Sequence, residues 1–160
     1  MREKVIEKLR AQFDASVELV NEYKGELTVV VKKQDIVRIG RFLRDDPDLR
    51  FDMLKDLCGV DYYRPSDRFE IVYNLYSLKT NFRLRLKTRV DETDIHVPSV
   101  TGVWSAANWH EREVYDMYGI IFDNHPDLRR MYMPEEFEYF PLRKDFPLMG
   151  IPGSLSLPRK

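Results

Sequence analysis

The chain has 160 residues, 43% hydrophobic and 33% charged, with a formal net charge of -1. That length and composition fit one globular domain with a buried core and exclude a disordered chain. The near-neutral balance gives no global attraction to nucleic acid or an anionic membrane, and apolar runs such as Leu27 to Val31 are too short to span a bilayer.

The first residues are charged throughout and lack the apolar block of a signal peptide, so the chain is expected to stay in the compartment where it is made. Residues 3–14 predict an amphipathic helix, because Val5, Ile6, Leu9 and Phe13 recur at helical spacing. Val17, Leu19 and Tyr23, then Leu27, Val29 and Val31, predict two short strands joined by a hairpin turn at Lys24-Gly25. A second helix is expected from about Asp35, burying Ile36, Ile39 and Leu43 and halted by Asp45-Asp46-Pro47. Residues 51–62 fit neither the helical nor the strand period. Arg64-Pro65-Ser66-Asp67 reads as a turn. Phe69 to Leu78 is rich in β-branched and aromatic residues, and Phe82, Leu84, Leu86 and Thr88 alternate strictly with Arg83, Arg85, Lys87 and Arg89. Such alternation marks an antiparallel strand with one face on a core. The expected fold class is therefore α+β, an antiparallel sheet with helices packed on one side, rather than parallel α/β.

Residues 103–118 predict a third helix through Val103, Ala106, Ala107, Val114, Met117 and Tyr118, with Ser99 or Thr101 as N-cap and Gly119 as the stop. Beyond it, five of the nine prolines (Pro134, Pro141, Pro147, Pro152, Pro158) fall in the last 27 residues. Proline donates no backbone hydrogen bond, so an extended, irregular tail is expected. That tail also holds Tyr132, Phe137, Tyr139, Phe140, Phe146, Leu148 and Ile151. An extended segment cannot bury such rings alone. It either folds back on its own domain or lies in a groove of a partner. The expected organisation is a core domain over 1–122 and an irregular C-terminal extension over 123–160.

The residues that could carry chemistry do not assemble a catalytic site. His110-Glu111 begins a zinc-protease H-E-x-x-H pattern, but position 114 is Val, and the spacing of His96, His110 and His125 builds no ligand set. Glu111 and Glu113 lie about 200° apart around a helix and cannot face one substrate. Arg112 and Asp116, four apart, can pair on one face, so this cluster reads as a structural or interfacial salt-bridge network. Arg83, Arg85, Lys87 and Arg89 form a basic strand face, which a simple hairpin register would share with Tyr73 and Leu75; it reads as a solvated or partner-facing surface, and nucleic acid is not expected. Gly40, Gly59 and Gly102 are isolated and build no phosphate cradle. Cys58 is the one cysteine; it cannot ligate a cluster alone and is expected in the core.

Three blocks carry a resemblance. They are Glu111-Arg112-Glu113-Val114-Tyr115-Asp116-Met117-Tyr118-Gly119-Ile120; Phe122 with His125-Pro126-Asp127-Leu128-Arg129-Arg130; and Pro141-Leu142-Arg143-Lys144-Asp145-Phe146-Pro147-Leu148. Val97 to Thr101 and Ala106-Ala107-Asn108-Trp109 precede them. Together they resemble the C-type, or 30-kilodalton, subunit family of respiratory complex I, the proton-pumping NADH–quinone oxidoreductase. The resemblance implies a structural subunit of the complex's peripheral arm, at the cytoplasmic side of a bacterial inner membrane. It implies no catalytic centre and no cofactor in this chain, while the complex uses FMN, iron–sulfur clusters, NADH and quinone. It also implies docking on the 49-kilodalton-type subunit and its cluster-bearing neighbours, with membrane association only through the complex. The residues it marks for partner contact are Trp109, Glu111, Arg112, Glu113, Asp116, Gly119, His125, Pro126, Leu128, Arg129, Arg130, Pro141, Leu142, Arg143, Lys144, Asp145 and Pro147. The alternative within the same superfamily is the homologous subunit of a membrane-bound energy-converting hydrogenase or related quinone reductase complex.

Overall fold

Helix α1 (Arg2–Phe13) buries Val5, Leu9 and Phe13, the apolar stripe its spacing predicts, in a computed structural model that describes residues 1–150. Ile151, Pro152 and Pro158 of the expected extension lie outside the described residues. Strands β1 (Val17–Tyr23) and β2 (Glu26–Val31) form the expected hairpin. Lys24 and Gly25 both have positive φ, 49° and 84°, the paired left-handed geometry whose twist matches the strands. Helix α2 (Ile36–Asp45) buries Ile36, Ile39 and Leu43. Asp35 stands at its start, but its carboxylate accepts from the Ser16 hydroxyl and Arg38 rather than from the helix backbone.

The ambiguous stretch after α2 is strand β3 (Met53–Asp61). Leu54 pairs with Leu75 and Asp56 with Asn74, so Lys55 is an extra, unpaired residue. This bulge shifts the alternation by one, which puts both Leu54 and Leu57 in the core and hides the strand period. Strands β4 (Phe69–Ser77) and β5 (Phe82–Val90) complete a sheet of order β1-β2-β5-β4-β3.

The sheet is mixed, not antiparallel as expected, because β2 and β5 run parallel. The α2 crossover returns the chain to the end where β2 began, so β3 runs in the direction of β2. Two hairpin reversals then leave β5 in that direction as well, beside β2. The β4–β5 register also corrects the expected face of two residues. Tyr73 pairs with Leu86 and Leu75 with Leu84, so both belong to the core face. Side by side with Arg83, Arg85 and Lys87 stand Tyr76, Asn74 and Val72. That open face is charge-balanced, with Lys87 on Glu70 (2.9 Å) and Arg85 on Glu26. Cys58, expected in the core, lies exposed on this face opposite Val72; the bulge set its side.

Helix α3 (Ala107–Tyr118) sits between two short parallel strands, β6 (His96–Pro98) and β7 (Ile121–Asp123). It starts later than predicted, because residues 99–106 form turns that bury Val100, Val103 and Trp104. Neither Ser99 nor Thr101 caps it. The inward residues of α1, α2 and α3 join those of the sheet in one hydrophobic cluster, so the helices cover one face and leave the other open.

Candidate functional site

The resemblance residues converge on α3 and the chain that follows it. Glu111 and Asp116 are fully buried, while Glu113 is exposed. The two buried carboxylates serve different ends of the helix. Glu111 accepts from the Ser99 hydroxyl (2.6 Å) and the Val100 amide (2.7 Å), tying the turn after β6 to the helix. Burial pushes its pKa up to about 7, against the opposing pull of those two donors. His125 lies 3.9 Å away. Its Nδ1 accepts from the Asp127 amide (3.0 Å), which leaves Nε2 to donate to the Asn108 carbonyl (3.1 Å). The Asn108 contact folds the segment after β7 back onto α3, and the Asp127 contact fixes the ring for it.

Asp116 organises the next segment. One of its oxygens accepts three successive amides, Met131, Tyr132 and Met133, at 3.0, 2.7 and 3.0 Å. The other accepts from Arg130 at 2.7 Å. Burial acts to raise the pKa, but these four donors hold it below the usual carboxylate range. The expected Arg112–Asp116 pair is absent from these contacts. Arg112 instead donates to the carbonyls of Arg129 and Arg130 and lies over the exposed Trp109 ring, 5.0 Å from its centre. The helical spacing was right, but the desolvated Asp116 took the donors that could enclose it.

Gly119 ends α3 at φ 76°, with its amide on the Tyr115 carbonyl. A side chain there would meet Phe140 at 2.6 Å, so the glycine is also the seat of the tail. Leu142 donates its amide to the Met117 carbonyl (3.2 Å) and Arg143 its Nε to the Tyr118 carbonyl (2.6 Å), capping the helix end from outside. The Lys144 amide reaches Asp61 (2.8 Å), and Asp145 reaches Arg68 (2.9 Å). Phe137, Tyr139 and Phe146 form a ring cluster with centroids 5.8 to 6.4 Å apart. Pro126 and Pro147 are exposed, Pro141 is half-buried, Arg129 pairs with Asp127 at 2.8 Å, and Leu128 packs on the core. An apolar set stays outside: Trp109, Tyr132, Tyr139, Leu142, Leu148 and Met149.

Sequence reasoning missed Asp61, Arg68 and Glu92, which receive the tail. Their one signal was the placement of Asp61 and Arg68 on either side of a turn, which Arg64 and Asp67 in the same turn obscure. Among the described residues no group of three His, Cys, Asp or Glu side chains is placed to hold a metal ion. No described helix is long and apolar enough to cross a membrane.

Residues 29–152 match the family described as the 30-kilodalton subunit of respiratory-chain NADH dehydrogenase. The chain is 54% identical over 144 residues to the NADH-quinone oxidoreductase C subunit 2 of Rhizobium meliloti, covering 90% of this chain and 79% of that one. It is 52% identical to the NADH-quinone oxidoreductase C subunit of a Roseiflexus species, covering 90% and 83%. Among solved structures, a trypsin-resistant fragment of Nqo5 superposes with a TM-score of 0.66 at 35% identity, over 80% of this chain and 100% of the fragment. An archaeal membrane-bound sulfane sulfur reductase complex contains a chain of the same fold, with a TM-score of 0.74 at 20% identity over 92% of this chain and 86% of that one.

Proposed function

The chain belongs to the family of the 30-kilodalton subunit of respiratory-chain NADH dehydrogenase, and from that membership we infer that it works by docking rather than by chemistry of its own. It is a peripheral-arm subunit of NADH–quinone oxidoreductase, an oxidoreductase complex of electron transport. In this reading it holds no redox group, and FMN, iron–sulfur clusters, NADH and quinone are handled by other subunits. A single cysteine supports that reading, since a cluster needs several thiolates. The chain docks on the 49-kilodalton-type subunit and its cluster-bearing neighbours, and reaches the cytoplasmic side of the inner membrane only through the complex.

One observation carries the proposal. Arg112, Asp116, Arg130, Arg143 and Asp145 of the family motifs are engaged within the chain, while Tyr132, Tyr139, Leu142, Leu148 and Met149 of the extension remain exposed. Exposed apolar side chains gathered in one segment, rather than scattered singly, are the kind of surface that a protein contact covers. The core over 1–122 and the extension over 123–160 then divide the work, the first as scaffold and the second as contact.

Truncation tests this. A cut after Met133 keeps Arg130 and the three amides around Asp116, so the domain should unfold cooperatively as before. The truncated chain should fail to co-purify with the 49-kilodalton-type subunit. Normal assembly of the truncated form would refute the role of the extension.

A further inference from the structure

We propose that Arg68 is a positioning residue, a buried cation that clasps residues 141–147 to the domain and so fixes how the extension presents its apolar edge. The clasp rests on the docking reading only in what it is for; its geometry is independent of any partner.

The Arg68 side chain is 6% exposed and gathers three carboxylates from three parts of the chain. It grips Asp61 at the end of β3 through two hydrogen bonds, 3.1 and 2.9 Å. It grips Glu92, after β5, at 2.8 and 2.9 Å, and Asp145 of the extension at 2.9 Å. Its plane lies over Phe69 and Tyr63, 5.0 and 5.1 Å from the ring centres. Asp61 in turn accepts the Lys144 amide at 2.8 Å. The extension is thus held at two successive residues, by each member of one ion pair. Arg143 beside them lies over Phe140 and Phe69, 4.7 and 5.3 Å from their centres.

The two halves of the clasp differ in character. Asp61 is 1% exposed and Arg68 6%, so this inner pair is desolvated and neither member can be left without the other. Asp145 is 43% exposed, so its contact is open to water and screened by salt. The inner pair is a fixed anchor and the outer contact a releasable one. Asp145 therefore serves the chain's own fold rather than a partner's surface, and Leu142, between the gripped residues and the helix end, is turned outward.

Amide hydrogen exchange on the full-length chain tests the clasp. In Arg68→Met, amides of residues 142–146 should exchange about tenfold faster or more, and by a larger factor than those of β4 and β5, which feel only the stability lost through the unpaired Asp61. Asp145→Asn, an exposed change that leaves the inner pair intact, should accelerate the same residues less, and high salt should erase its difference from wild type. Wild-type exchange at 142–146 already as fast as in Arg68→Met would overturn the proposal. Equal acceleration of β4 and β5 would do the same, since Arg68 would then be merely structural. Should Arg68→Met not fold, unchanged exchange in Asp145→Asn decides against the clasp. A separate variant, Leu142→Ser with Leu148→Ser, addresses docking alone. Retained binding to the 49-kilodalton-type subunit in that variant would remove the apolar edge from the docking reading and leave the clasp standing.

Discussion

A carboxylate inside a protein is tolerated when its charge is met by donors, and Glu111 and Asp116 are met to different degrees. Asp116 has three amides and a guanidinium; Glu111 has one hydroxyl and one amide. Desolvation accordingly wins at Glu111, raising its pKa to about 7 from 4.5, and loses at Asp116. A raised pKa means that the folded protein binds this proton more tightly than the unfolded chain. Stability should therefore fall as pH rises from about 4.5 to 7 and level off above, by on the order of 3 kcal/mol. Glu111→Gln keeps the shape without the titration, so denaturant unfolding across that pH range should show a flatter profile for the variant than for wild type. Parallel profiles would mean that Glu111 is not the titrating group. The sequence showed both residues on one helix and paired Asp116 with Arg112. It could not show that Arg130 and three amides lay nearer.

At the scale of elements, α3 is held in place by two glycines. Gly59 on β3 gives Tyr118 and Val114 room, since a Cβ there would stand 2.8 and 3.2 Å from them. Gly119 ends the helix and admits Phe140. Gly119→Ala combines a left-handed backbone with a 2.6 Å collision against a ring wedged under Arg130 and Arg143. A loss of about 2–3 kcal/mol is expected from strain plus displaced packing, read as a lower midpoint in denaturant with released Phe140 contacts. A loss below about 1 kcal/mol would show that Phe140 moves away freely. The helices and the β4–β5 hairpin were legible from their periods. The β3 strand was not, because the unpaired Lys55 breaks the alternation on which a strand is recognised.

Across the whole molecule, the extension is joined to the domain largely through carboxylates and backbone polar groups, whereas the domain itself is joined through one apolar cluster. Acid should separate the two. Asp61 is buried, which acts to raise its pKa, yet Arg68 and two amides hold it down to about 2; Asp145 is lowered chiefly by Arg68. Lowered values mean stabilisation present above the ordinary carboxylate range and lost as pH falls through the folded values. Acidification from pH 4 to 2 should thus free the extension before the sheet opens. Tyrosine and tryptophan fluorescence should change ahead of far-ultraviolet circular dichroism, and coincident transitions would contradict the division. What the sequence determined by itself was local or family-borne: helices and strands with unbroken periods, the charge balance, and the motif blocks that identify the family. Tertiary structure alone decided the parallel β2–β5 pair, the exposure of Cys58, and the partners of Asp116 and Arg68. Those outcomes depend on register and on which distant donors reach a desolvated charge first, and neither is written in the spacing of neighbouring residues.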